Sequence, residues 1–147
     1  MQTSDIEAKI KTDYPDLIGA KRLIGPSGFY TYDIIQFKSF LNKIFPQQDI
    51  FVSDDFLAEM KKKLADKYGY DKSCFKTFGS LETISFAKLK YYQLEVGIKG
   101  PQYTDLSEPV SIVKYKDLLI LENGYHRTLK KIMQGNNLTE AYILPIS

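Results

Sequence analysis

The chain has 147 residues, 44% hydrophobic and 26% charged, which is the composition of an ordinary globular protein with room for one core. A net charge of +2 is too small to indicate DNA binding through bulk electrostatics, although the total charge does not exclude local basic patches. The single cysteine, Cys74, excludes an internal disulfide and a cysteine metal cluster, so we expect a reducing, cytoplasmic compartment. No apolar run has the length of a membrane span, and residues 1–5 do not resemble a signal peptide, so no membrane partner is expected.

Two helices are predicted in the first half of the chain. The first begins at Thr31 or Asp33 and ends at Pro46, with an apolar stripe formed by Ile34, Phe37, Phe40, Leu41, Ile44 and Phe45. The second has Ser53 as its N-cap and Gly69 after its last turn. One of its faces is apolar, and the other carries lysines at positions 61, 62, 63 and 67. A solvated helix surface is the simpler interpretation of those lysines, and a nucleic-acid-facing surface is the alternative.

The pattern changes at Gly79–Ser80. Residues 83–86 alternate like a short strand, and residues 89–94 indicate a short helix or turn. Gly97, Gly100 and Pro101 then predict a loop that runs to about Pro109.

The last third of the chain has the clearest order of elements. Residues 110–115 and 118–122 predict two strands joined by a tight turn at Lys116–Asp117. A helix follows from Gly124, and residues 140–144 predict a closing strand. We therefore expect a hairpin, a helix and a strand to form one small unit.

The junction at residues 118–127 is the most informative feature of this unit. A buried strand passes through Gly124 directly into a helix, which brings unpaired backbone N–H groups and the positive end of the helix dipole to one point. His126 and Arg127 lie in the first turn of that helix and add two side-chain donors. The sequence therefore predicts a phosphate-binding site at the start of this helix.

Pro109–Ile112, the hairpin, the sequence Asn123–Arg127 and the closing strand together resemble the ParB/sulfiredoxin superfamily, over residues 80–145. The expected fold is α+β: a small mixed β-sheet of ParB/sulfiredoxin-like type with a helical N-terminal extension. The predicted division is an extension at residues 1–78 and a nucleotide-binding core at residues 79–147.

The resemblance implies that the ligand is ATP, ADP or CTP, commonly with Mg²⁺. Gly124 would let the backbone approach the phosphate, His126 and Arg127 would bind its oxygens, and Thr128 would add a hydroxyl. The implied nucleotide-binding residues are Asn123, Gly124, Tyr125, His126, Arg127 and Thr128. From the residues alone, Tyr125 is also consistent with a core position, and Arg127 with a salt bridge to Glu122 or Glu140.

The sequence also departs from members of the superfamily. Tyr125 stands where sulfiredoxins have the catalytic cysteine, so sulfinic-acid repair is not expected. Asn123 stands where other members have an aspartate, which removes a carboxylate from that point. The remaining candidates for a catalytic base or magnesium ligand are Glu122, at the end of a strand, and Glu82, just before the first core strand. No helix-turn-helix follows the unit, so a centromere-spreading clamp is not expected.

The predicted function is nucleotide or phosphate binding, with NTP hydrolysis or phosphoryl transfer as a further step, in a DNA-related setting of plasmid, phage or mobile-element type. A ParB-like nuclease is one alternative, although the chain has no dense carboxylate cluster for a two-metal site. A non-catalytic interaction or inhibitor protein that keeps the fold is the other. An open cleft above Gly124 with Arg127 in it favours nucleotide binding, and a cleft plugged by Tyr125 or by the 97–108 loop favours the interaction protein.

Overall fold

The computed structural model describes residues 3–46, 48–98 and 106–146. The helices are α1 (Thr3–Asp13), α2 (Phe37–Ile44), α3 (Asp54–Tyr68), α4 (Cys74–Phe78) and α5 (Tyr125–Met133). The strands are β1 (Ile18–Gly25), β2 (Gly28–Gln36), β3 (Ser80–Ser85), β4 (Glu95–Gly97), β5 (Val110–Tyr115), β6 (Leu118–Asn123) and β7 (Leu138–Pro145). Two short 3-10 turns lie at Pro15–Leu17 and Phe86–Lys88. The fold is α+β, as predicted, and none of the helices described is long and apolar enough to cross a membrane.

A four-stranded mixed sheet in the order β3-β7-β5-β6 forms the centre of the molecule. Strands β5 and β7 are parallel, and the other two pairs are antiparallel. Strands β5 and β6 form the predicted hairpin through Lys116 and Asp117, which have φ values of 50° and 63°. Two successive positive φ values match the twist of a two-residue hairpin turn. The predicted order of hairpin, helix and closing strand is confirmed.

The two faces of this sheet are covered by different helices. Ile112 and Leu121 are register partners and belong to the cluster that contains Leu129 of α5. The next pair, Val113 and Ile120, belongs to a second cluster, with Met60 of α3 and residues of α4. Successive strand residues point to opposite faces, so α5 and α3 lie on opposite sides of the sheet.

Strands β1 and β2 are the main difference from the prediction. A helix was expected from Thr31 or Asp33, but residues 28–36 form a strand, of which residues 28–35 pair with β1, and helix α2 begins only at Phe37. Aromatic and β-branched residues fill much of this segment and favour a pleated surface, and the hairpin partner stabilises it. Strand β2 also pairs with β4, so a three-stranded sheet, β1-β2-β4, accompanies the helices of the N-terminal segment.

The N-terminal segment shares a core with the rest of the chain. Ile6 and Ile10 of α1 and Phe37 of α2 lie fully buried in the same cluster as Tyr125 and Leu129 of α5. Lys9 donates a hydrogen bond to the carbonyl of Met133 (3.3 Å), which fixes α1 at the end of α5. Residues from both sides of the predicted boundary at residue 79 therefore hold α5 in place.

Candidate functional site

Gly124 marks the start of α5, with φ of 111° and no side-chain hydrogen bond capping the helix. A β-carbon at this position would lie 2.5 Å from Val110 Cγ1 and 2.9 Å from its Cβ. Both the positive φ and the close approach of β5 require glycine. The glycine is thus explained by local backbone geometry and packing, whereas its contact with a phosphate stays a prediction.

Tyr125 is a core residue, 3% exposed. Its hydroxyl donates to the Leu121 carbonyl and accepts from the Tyr92 N–H, both at 2.9 Å. Its ring makes edge contacts with Phe37, Tyr91 and Tyr92. Burial raises the pKa of this hydroxyl far above its usual value. A ring held on all sides in this way is not available to stack on a nucleotide base.

His126 lies beside the three-stranded sheet. Its Nε2 is 3.3 Å from the point where a β-carbon of Gly97 would be, and the Tyr32 ring is 3.8 Å from the same point. Burial, and then the nearby positive charge of Lys130, lower the pKa of His126 below its usual value. The neutral form of the imidazole is therefore favoured at pH 7.

Arg127 folds back over the start of α5. Its Nη2 lies 3.1 Å from the point where a β-carbon of Gly124 would be, and its Nη1 lies 3.0 Å from Glu108 Oε2. The Arg127 side chain is 12% exposed, whereas that of Glu108 is 68% exposed. Its carboxylate partner is thus Glu108, and not Glu122 or Glu140. The guanidinium is held near the helix start, where an anion already contacts it.

Thr128 is fully buried one turn into α5. Its N–H donates to the Gly124 carbonyl at 2.8 Å, which closes the first turn. Its Oγ1 has no hydrogen-bond partner among the residues that the structure describes. A buried hydroxyl without a partner is unfavourable, so this oxygen is the unexplained polar atom of the junction.

Glu122 and Asn123 border a cleft of about 500 Å³ between α3 and the end of β6. The Tyr92 hydroxyl donates to Glu122, with distances of 3.1 Å to its carbonyl oxygen and 3.3 Å to Oε2. Burial raises the pKa of Glu122, and the charges of Lys61 and Lys72 act in the opposite direction. This cleft was not predicted, because Lys61 belongs to a run of lysines that resembles a solvated helix surface.

Glu82 lies apart from these residues. It is an exposed residue of β3, the strand at the opposite edge of the sheet from β6, and it accepts a hydrogen bond from the Ser80 hydroxyl at 2.8 Å. Three strand spacings separate the two edges, roughly 14 Å. The structure therefore does not bring Glu82 and Glu122 together.

Magnesium does not fit the donors around this junction. No group of three or more His, Cys, Asp or Glu side chains with metal-binding geometry occurs in residues 3–46, 48–98 and 106–146. Mg²⁺ is usually held by one or two carboxylates together with substrate phosphates. Glu122 is the carboxylate nearest in sequence to Gly124, but Lys61 and Lys72 line the same cleft and repel a divalent cation.

The predicted residues thus divide into three environments. Tyr125 and Thr128 are on the buried side of α5, and His126 and Arg127 are in its first turn. The side chain of Glu122 bonds to Tyr92 in the cleft beside α3. No protein-family model, curated protein or solved structure matches the chain. The resemblance to the ParB/sulfiredoxin superfamily therefore stays a prediction.

Proposed function

We propose that the chain binds a nucleotide through its phosphates at the first turn of α5. The phosphate would accept hydrogen bonds from the first backbone N–H groups of the helix and from the Arg127 guanidinium. His126 would donate a further hydrogen bond. The nucleotide classes expected from the resemblance are ATP, ADP and CTP.

The position of Arg127 carries this proposal. A nearly buried guanidinium lies over an uncapped helix start, and its carboxylate partner is an exposed glutamate. Because Glu108 is solvated, its ion pair with Arg127 contributes little stability and is readily exchanged for another anion. A phosphate offers more acceptor oxygens than a carboxylate and also meets the positive end of the helix dipole. Glu108 belongs to the segment 97–108 that was predicted as a loop, so its contact with Arg127 also favours the interaction protein as the second function.

The proposal is confined to binding. Hydrolysis or phosphoryl transfer needs a base or a metal near the phosphate. Glu82 lies on the far edge strand of the sheet, and Glu122 bonds to Tyr92 in the cleft beside α3. The DNA-related setting rests on the resemblance alone.

Calorimetric titration with ATP, ADP, CTP and GTP, each with and without Mg²⁺, tests the proposal. Arg127→Ala should weaken binding at least about tenfold, since a hydrogen bond to a charged group contributes about 1.5–3 kcal/mol. Arg22→Ala is the matched control, because Arg22 is exposed on β1 and its guanidinium lies over the Phe29 ring. Glu108→Gln should tighten binding, because it removes the competing carboxylate. Unchanged affinity in Arg127→Ala overturns the proposal.

The second candidate is a non-catalytic interaction protein. Strands β1 and β2 present two exposed apolar register pairs near their connecting turn, Ile24 with Phe29 and Leu23 with Tyr30. The two pairs face opposite sides of the ribbon, so each side carries one exposed apolar pair that a partner could cover. A chain that binds none of the four nucleotides, with or without Mg²⁺, would favour this second function.

A further inference from the structure

The cleft beside α3 is a built cavity on the face of the sheet opposite α5. Its volume of about 500 Å³ lies in the range of small-molecule sites, roughly 300–1,000 Å³. Helix α3, the segment that joins α3 to α4, Tyr92 and the ends of β5 and β6 form its walls. The phosphate site at α5 uses neither its lysines nor its tyrosines.

Charged groups of both signs line this cavity. Lys61 comes from α3 and Lys72 from the α3–α4 segment, so two separate elements bring ammonium groups to one space. The two carboxylates are Asp71, which accepts a hydrogen bond from the Ser73 N–H at 3.0 Å, and Glu122, which accepts from Tyr92. Each carboxylate accepts a hydrogen bond of its own, and Lys61 and Lys72 also attract Glu122, so a dianionic ligand would share the two ammonium groups with that carboxylate.

The rest of the lining is suited to a hydroxylated ring. Glu122 can accept hydrogen bonds from ligand hydroxyls, and the Asn123 amide and the Ser111 hydroxyl can both donate and accept. The ring of Tyr92 supplies an apolar surface, with Lys61 Nζ 4.8 Å from the centre of that ring. This set combines a planar surface, hydrogen-bonding groups and two cations.

The geometry points to a second binding site, in the cleft between α3 and the end of β6, for a sugar phosphate. Lys61 and Lys72 bind the phosphate, Glu122 and Asn123 bind sugar hydroxyls, and the Tyr92 ring contacts the sugar face. The same chemistry is found in a free sugar phosphate and in a nucleoside monophosphate, so the experiment includes both. This inference does not depend on nucleotide binding at α5.

Calorimetric titration with ribose 5-phosphate, AMP, ribose and inorganic phosphate tests the site. Ribose 5-phosphate should bind at least about tenfold more tightly than ribose, because the charge-assisted bonds go to its phosphate. The comparison is made in Arg127→Ala, so that the proposed α5 site does not contribute: tighter binding of AMP than of ribose 5-phosphate identifies the nucleoside form, and the reverse order identifies the free sugar phosphate. Failure of both to bind overturns the inference.

Lysine variants locate the bound ligand. Lys61→Ala and Lys72→Ala should each weaken ribose 5-phosphate binding at least about fivefold, since each removes one charge-assisted bond. The matched controls are Lys62→Ala on α3 and Lys76→Ala on α4, which alter exposed lysines outside the cleft. Arg127→Ala should leave this binding unchanged, although it should weaken nucleotide binding at α5. Equal affinity in all four lysine variants contradicts the assignment.

Amide chemical shifts give a second, independent measurement. On addition of ribose 5-phosphate, the largest changes should fall on the amides of residues 61–72, 92–93 and 122–123. Changes centred on residues 125–128 instead would place the ligand at α5 and overturn a separate cleft site. Because Lys61 and Lys72 are exposed, their replacement should not disturb the fold, and the spectra of the variants check this directly.

Discussion

Val110 of β5 closes against Gly124 so tightly that no β-carbon fits between them. A β-carbon on residue 124 would lie 2.5 Å from Val110 Cγ1, and the backbone at Gly124 has φ of 111°. Gly124→Ala should therefore lower the free energy of unfolding by about 2–4 kcal/mol, through left-handed strain and overpacking together. Urea denaturation measures this loss.

Gly135→Ala is the control for this prediction. Gly135 also has a positive φ, 85°, but a β-carbon there would meet nothing within 4 Å. Gly135→Ala should therefore lower the free energy of unfolding by about 1–2 kcal/mol, through left-handed backbone strain alone. Removing the two γ-carbons of Val110 in Gly124→Ala/Val110→Ala should recover part of the packing cost, relative to the sum of the single variants. Equal losses in the two glycine variants would show that Val110 is not the obstacle.

Tyr125→Phe should destabilise the fold without changing its shape. The hydroxyl accepts from the Tyr92 N–H and donates to the Leu121 carbonyl, so its removal leaves two backbone groups without that partner. The expected loss is about 1–3 kcal/mol in the free energy of unfolding, measured in urea. Tyr70→Phe, at a residue that is 94% exposed, should change stability by less than about 0.5 kcal/mol. A neutral Tyr125→Phe would contradict the hydrogen bonds described.

His126 should make stability depend on pH near neutrality. The pKa of His126 in the folded chain is below its ordinary value of 6.5. Between these two pKa values the unfolded chain therefore binds more protons than the folded chain. The contribution of His126 to the free energy of unfolding is therefore present above about pH 6.5 and is lost as the pH falls through the pKa of the folded chain. His126→Gln should remove this pH dependence. His126 is the single histidine of the chain, so one imidazole resonance reports its pKa. Saturating nucleotide should raise that pKa if a phosphate contacts the ring.

Thr128→Val separates stability from binding. The buried Oγ1 lacks a partner among the described residues, so replacing the hydroxyl by a methyl group should raise the free energy of unfolding by about 1 kcal/mol. If the same hydroxyl contacts a bound phosphate, nucleotide affinity should fall in the more stable variant. Thermal melts with and without nucleotide measure both effects. A destabilised Thr128→Val would show that Oγ1 has a partner after all.

Local signals made part of the fold predictable. Ser53 accepts a hydrogen bond from the Phe56 N–H at 3.2 Å, and α3 ends before Gly69, as its capping residues indicated. The turn at Lys116–Asp117 and the helix after Gly124 follow from residues adjacent in sequence. Strand β2 was missed because Ile34, Phe37 and Leu41 are spaced as they would be on one face of a helix. The strand is stabilised by pairing with β1 and β4, and that spacing gives no sign of this pairing.

The site was harder to predict than the fold. The residues before and after Gly124 were expected to surround one ligand, but the side chain of Glu122 bonds to Tyr92 beside α3, and Tyr125 is on the buried side of α5. Which helix covers which face of a sheet depends on long-range packing and is not encoded in a short motif. A salt bridge to Glu122 or Glu140 was the alternative to phosphate binding by Arg127, and the carboxylate that Arg127 contacts is Glu108, in a segment whose position no periodic pattern defines.

Strand β7 has a consequence for biosynthesis. It lies between β3 and β5, so residues 138–145 supply the inner strand that joins two strands made much earlier. Until a ribosome has released those residues, β3 has no partner in this sheet and the β5–β6 hairpin lacks one neighbour. Nascent chains stalled before residue 138 should therefore expose unpaired strand edges, which are the surfaces that chaperones recognise and that aggregate when unprotected. Closure of the sheet therefore has to wait until residue 145 has been made.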